Sequence, residues 1–188
     1  MYCFRPCYAT GRPVVDFMTN AVAYGGVAFL AGGYSASLSL DNTLDLLLHT
    51  PPYILYMAAG SISSTLPDIS GDRDEGKHTT AVVLGARNAH LLACVLLLGA
   101  IWLFYLQKDF FGMWIAVSAL PLYLLFLVYP TTLLMELVYK VGGAIAMVAI
   151  SMVYPLFFIV GITTFIFTLL YFRMVHHVLY PSLRSDSE

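Results

Sequence analysis

The stretch VGGAIAMVAISMVYPLFFIVGITTFIFTLLYFRMV, from Val141 to Val175, decides how many times this chain crosses a membrane. As one helix, its 35 residues would rise about 52 Å, far more than a hydrocarbon layer of about 30 Å. Pro155 stands near its middle beside Tyr154. A proline inside a helix removes one hydrogen bond and clashes with the preceding turn, and tyrosine favours the membrane interface. The stretch therefore predicts a hairpin of two spans, Leu137–Tyr154 and Leu156–Phe172.

Composition agrees. Of 188 residues, 60% are hydrophobic and 11% are charged, with a mean hydropathy of +0.80. A soluble domain carries roughly 25% charged residues, enough to coat a water-facing surface. Here less than half that share is present, so a polytopic, all-α transmembrane bundle is expected. The lipid bilayer is its surrounding partner. A net charge of −2 excludes a polybasic nucleic-acid binder. Three cysteines are too few for a four-thiolate zinc site and odd in number for closed disulfides. Met1–Thr10 holds no apolar run of signal-peptide type.

Further apolar stretches lie at Val14–Tyr34, Pro51–Leu66, His90–Leu106 and Phe111–Tyr129, giving about six spans in one membrane domain over residues 1–188. Pro51 suits a first helical position, Asp41-Asn42-Thr43 suits the cap of a short interfacial helix to His49, and Pro121 suggests a kink. Gly25, Gly26, Gly32, Gly33, Ala58, Ala59, Gly60 and Ser63 would let the first two spans approach closely.

With six alternating spans, Arg5, Arg12, Arg73, Lys77, Arg87, Lys140, Arg173 and Arg184 share one side and Lys108 takes the other. Merging the last two spans weakens eight to one into six to three. The positive-inside rule then puts both termini and the loop at 67–80 in the cytoplasm.

That loop, Pro67-Asp68-Ile69-Ser70-Gly71-Asp72-Arg73-Asp74-Glu75-Gly76-Lys77-His78, holds four acids and two bases within ten residues. Asp68 and Asp72 are four apart. If the helix continues through Gly71, both carboxylates share one face and Gly76 stops the helix. Paired carboxylates suit Mg²⁺, which takes one or two such ligands plus substrate phosphates. Arg73 and Lys77 are spaced to hold the remaining phosphate oxygens. A solvated, topology-marking loop explains the charges as well. An EF-hand fails at Arg73 and Thr79, where glycine and glutamate are required, and a P-loop lacks its Gly-Lys-Ser/Thr ending.

The run Leu66–Gly85 resembles the second aspartate-rich motif of the UbiA family of intramembrane prenyltransferases, roughly D-I-E-G-D-R-x-x-G-K-x-T followed by L-G. Asp68, Gly71, Asp72, Arg73, Gly76, Lys77, Thr79, Leu84 and Gly85 match, and Ser70 departs. Tyr2–Pro6, Arg12–Asp16 and Asn20–Gly25 resemble the segment before the motif, and Tyr171–Arg173 with Tyr180–Leu183 resembles the tail of some bacterial and archaeal members.

The resemblance implies the C-terminal part of that fold in a bacterial or archaeal cytoplasmic membrane. It implies transfer of a polyprenyl group from an allylic diphosphate to an unidentified acceptor. Asp68 and Asp72 would hold Mg²⁺ as metal-binding and catalytic residues, and Arg73 and Lys77 would bind the diphosphate. Apart from the resemblance, a polar residue within an apolar span is costly to bury, which makes Asn20, near the motif's end of the first span, a pocket-facing candidate for diphosphate binding. Asp16, near Asn20, has a plainer reading as a partner of Arg12 at the interface. The family's earlier N-D-x-x-D motif is absent, and Asp41–Asp45, the only other acidic pair of that kind, falls on the opposite face. A missing N-terminal portion is therefore expected. A catalytically silent membrane fragment and a small membrane transporter are the alternatives.

Overall fold

The computed structural model describes residues 9–37 and 43–177, and every regular element among them is helical. A 3₁₀ turn at Ala9–Gly11 leads into a rod of three parts: α1 (Val15–Asn20), a π-helical turn (Ala21–Val27) and α2 (Ala28–Ser37). Then come α3 (Thr43–His49), α4 (Pro51–Thr65), α5 (Ile69–Asp74), α6 (Thr80–Leu106), α7 (Phe110–Val128), α8 (Thr132–Val153) and α9 (Pro155–Tyr171), which runs on as a π-helical turn to His176.

Among the described residues four helices are long and apolar enough to cross a membrane: Thr80–Leu106, Phe110–Val128, Thr132–Val153 and Pro155–His176. The predicted hairpin is there. Helical geometry lapses at Tyr154 (φ −125°, ψ 84°), and Pro155 opens α9, which packs back on α8. The first two expected spans are the three-part rod and α4. The 15 residues of α4 rise only about 22 Å. α7 passes through Pro121 as one helix. α3 ends at His49 as expected, while Asp41 and Asn42 lie outside the described residues.

α4 is the hub, packing against the rod, α6 and α8, while α6 continues the core to α7. Small residues make this possible. Ala58 and Ala59 on α4, Ala89, Ala93 and Ala100 on α6, and Ala116 and Ala119 on α7 are all buried. Phe104, Leu97 and Ile62 fill the space between them. A Cβ on Gly25 would stand 2.5 Å from the Tyr53 carbonyl oxygen, so rod and α4 touch backbone to backbone. Gly32 and Gly60 meet no such neighbour. At the end of α4 away from the acidic loop, Tyr53 donates to Asp109, which also caps α7 through the Gly112 amide at 2.9 Å.

Gly25→Ala must push two backbones apart, and overpacking of this kind costs about 1–3 kcal/mol. The purified variant should melt several degrees below wild type, whereas Gly60→Ala, facing open space, should melt within a degree or two of it.

Candidate functional site

The acidic loop takes a more articulated path than one continuous helix. α4 ends at Thr65, and Pro67, which lacks an amide hydrogen, stands in the break. α5 then starts from Asp68. The Asp72 amide donates to the Asp68 carbonyl at 2.8 Å, so the two aspartates still sit one helical turn apart. The expected stop at Gly76 is present. Gly76 adopts φ +71°, its amide donates to Arg73 O at 3.0 Å, and the Lys77 amide donates to Asp72 O at 2.8 Å. This is a Schellman closure, whose left-handed position glycine occupies without steric cost.

The closure folds Lys77 back over the helix. Its Nζ lies 3.0 Å from Asp72 Oδ1 and 2.7 Å from Glu75 Oε2. These hydrogen bonds, to Glu75 first and then Asp72, raise the Lys77 pKa and keep it charged. The Asp68 carboxyl is raised by partial desolvation and then by the Asp72 charge, with Lys77 pulling it down. Arg73 is exposed and makes no ion pair among the described residues. Asp68, Asp72 and Lys77 thus form one electrostatic cluster, with Arg73 beside it.

The loop is clamped at its far end by a buried knot. Asp16, 4% exposed, accepts from the Thr80 amide and from Thr80 Oγ1, both at 2.7 Å. The same hydroxyl oxygen accepts from the Val14 amide at 2.7 Å. Val14 has φ 68°, a costly conformation for a β-branched residue, and this bond helps to hold it. Thr79 caps α6 through the Val82 amide at 3.3 Å, and the His78 amide donates to Gly11 O at 3.3 Å. Asp16 therefore serves the start of α6, a role its sequence neighbours did not reveal.

Asn20, one turn beyond Asp16, donates from Nδ2 to Ser61 Oγ at 3.1 Å. It lines a cavity of about 350 Å³ between the rod, α4, α7 and α8, together with Tyr24, Tyr56, Ser61, Tyr123 and Tyr139. Tyr139 is the α8 tyrosine of this lining. Next to it, Lys140 Nζ sits 5.7 Å from the Tyr139 ring centre and 2.6 Å from Oε2 of buried Glu136. Sequence reading missed Tyr139 and the Glu136–Lys140 pair, although their one-turn spacing on an apolar helix was a usable signal. It also left Glu75 without a role, where the structure pairs it with Lys77.

The donor chemistry at Asp68 and Asp72 fits Mg²⁺. Two hard carboxylates share a turn, the kind of oxygen ligand that this ion takes. Among the described residues no three or more His, Cys, Asp or Glu converge, so the other coordination positions would fall to water or substrate oxygens. Asp45 lies in α3, before the start of α4, whereas Asp68 follows its end. It is thus separated from the cluster by the length of α4, and Asp41 lies outside the described residues.

No protein-family profile, curated protein or solved structure matches this chain.

Two substitutions move the Asp68 carboxyl in opposite directions. Lys77→Gln removes the charge that lowers its pKa and should raise it, while Asp72→Asn removes the charge that raises it and should lower it. Carboxyl ¹³C shifts followed through a pH titration test both signs. Asp16→Ala strips acceptors from a buried amide and a buried hydroxyl, a loss of about 1–3 kcal/mol per orphaned group. Hydrogen exchange at Thr80 should accelerate accordingly.

Proposed function

We propose that this chain is the C-terminal portion of an intramembrane prenyltransferase of the UbiA type. It would cross a bacterial or archaeal cytoplasmic membrane six times, with the rod and α4 as the two further spans and the acidic loop and termini in the cytoplasm. The observation that carries this reading is the Asp68–Asp72 pair on one helical turn, compensated by Lys77, in a bundle that also holds a cavity lined by Asn20. A diphosphate at the membrane surface needs cations, and its hydrocarbon tail needs an apolar opening beside them.

In the proposed reaction the allylic C–O bond breaks, and diphosphate leaves with the electron pair. The allylic carbon then bonds to the acceptor, which releases a proton. Mg²⁺, when bound, supplies positive charge to the departing diphosphate. Asp68 and Asp72 hold that ion in register. Arg73 offers a fork of donors to the phosphate oxygens, and Lys77 shares its ammonium between Asp72 and the leaving group. Asn20 orients the reacting end from the cavity wall. Burial of the tail in the cavity keeps water from the allylic carbon.

A second reading, a silent diphosphate binder, is favoured by one observation. Asp45, the described member of the other acidic pair, is far along the chain from the cluster and across α4 from it. A missing N-terminal portion would supply the first aspartate-rich motif under the main reading.

Membranes carrying the chain should bind a radiolabelled prenyl diphosphate in a Mg²⁺-dependent way. Asp72→Asn should weaken that binding roughly tenfold or more, about 1.4 kcal/mol or above, whereas Asp74→Asn should leave it intact. Equal binding by wild type and Asp72→Asn would refute the assignment. Binding without transfer to any acceptor, even with the upstream portion restored, would select the silent reading.

A further inference from the structure

Several glycines of the bundle explain themselves. A Cβ on Gly25 would stand 2.5 Å from the Tyr53 carbonyl oxygen, and one on Gly112 would stand 2.5 Å from the Phe104 ring. Gly76 and Gly85 adopt positive φ. Gly60 and Gly143 have neither reason. They lie inside α4 and α8, neither has a positive φ, and a Cβ on either would meet nothing within 4 Å. Nothing in the packing or the backbone around these two positions calls for glycine. What they share is the cavity of about 350 Å³, which both line. The volume that a side chain would take at either position is left to the cavity.

The cavity has a direction. α6, α7 and α8 follow one another through short turns, so they alternate, and α8 starts on the side of the acidic loop. Along α4 the lining residues nearest that loop are Ser64 and Ser61, and Gly60 and Met57 come next. Along α8 Tyr139 comes first, then Gly143 and Ala146. Asn20 is level with Ser61, to which it donates at 3.1 Å. The serines and the amide thus gather toward the loop, and the two glycines lie further in. Only Thr65, Leu66 and Pro67 separate Ser64 from Asp68.

We propose that Gly60 and Gly143 determine which prenyl diphosphates this chain accepts, by leaving room for the tail beyond its first isoprene unit. The assignment rests on the prenyl reading. A diphosphate held at Asp68 and Asp72 sends its tail past Ser64, and the later units lie against the two glycines. Lipid is as apolar as the cavity, so burial alone gives the tail no reason to enter. Close fit does, through the sum of many small dispersion contacts. A branched side chain at either glycine removes that fit and leaves the diphosphate contacts alone.

The experiment uses membranes carrying the whole chain, with empty membranes as the blank. They are incubated with Mg²⁺ and either radiolabelled dimethylallyl diphosphate, with one isoprene unit, or geranylgeranyl diphosphate, with four. Gly60→Leu and Gly143→Leu should each weaken Mg²⁺-dependent retention of the longer compound about tenfold, within what overpacking costs. Both should leave retention of the shorter compound unchanged. Gly60→Ala and Gly143→Ala add one methyl group and should give a smaller loss with the same selectivity, which keeps the test open if a leucine variant misfolds. Gly32→Leu is the control. A Cβ there also meets nothing within 4 Å, but Gly32 does not line the cavity, so neither compound should be affected. Unchanged retention of the longer compound in both leucine variants would overturn the assignment, as would equal loss of the two compounds in the alanine variants. Either result would leave the prenyl reading standing if Asp72→Asn still abolished binding. No Mg²⁺-dependent binding of either compound by wild type would remove that reading and this assignment together.

Discussion

The carboxylate of Asp16 is the constraint on which the geometry of the loop depends. It is buried, and each of its oxygens accepts from Thr80, 64 residues away. A buried carboxyl is tolerated only when its hydrogen-bonding capacity is met, and the backbone amide and hydroxyl of the first residue of α6 contribute to that. In return the start of α6 is pinned to α1. Since α4 is held to the rod through Gly25, the segment from Pro67 to Thr79 is a bridge between two fixed points. Its carboxylates are set by the bundle rather than by the loop.

Within the bridge, repulsion and compensation are nearly matched. Desolvation and then the Asp72 charge raise the cost of ionising Asp68, and Lys77 offsets part of it while divided between Asp72 and Glu75. The cavity between the rod, α4, α7 and α8 is lined by tyrosines, Met57, Val138 and small residues, with Asn20 and two serines as its other polar groups.

Much of this was legible from local patterns. Proline at 155 marked the hairpin, Pro51 the start of α4 and Gly76 the end of α5, because each acts on its own few residues. The four-residue spacing of the aspartates survived even though the helix was interrupted at Pro67. Long-range partnerships were not legible. Nothing near Asp16 in sequence pointed to Thr80 as a partner. The start of α6 was also hidden: charged residues suggested a span beginning at His90, whereas Thr79 caps a helix from Thr80 onward. The buried hydrogen bond from His90 Nε2 to the Tyr123 carbonyl oxygen is another contact that no periodicity encodes.

α9 offers its consequence at the level of assembly. From Gly143 to His177 no residue is buried, so the second half of α8 and all of α9 take their solvation from whatever surrounds the bundle. Among the described residues the last side chain committed to the interior is Val138, followed only by Gly142. A ribosome that has delivered Gly142 has already supplied every buried residue of the described chain. What it adds from Gly143 to His177 completes no core, and its sequence is free to drift so long as it stays greasy.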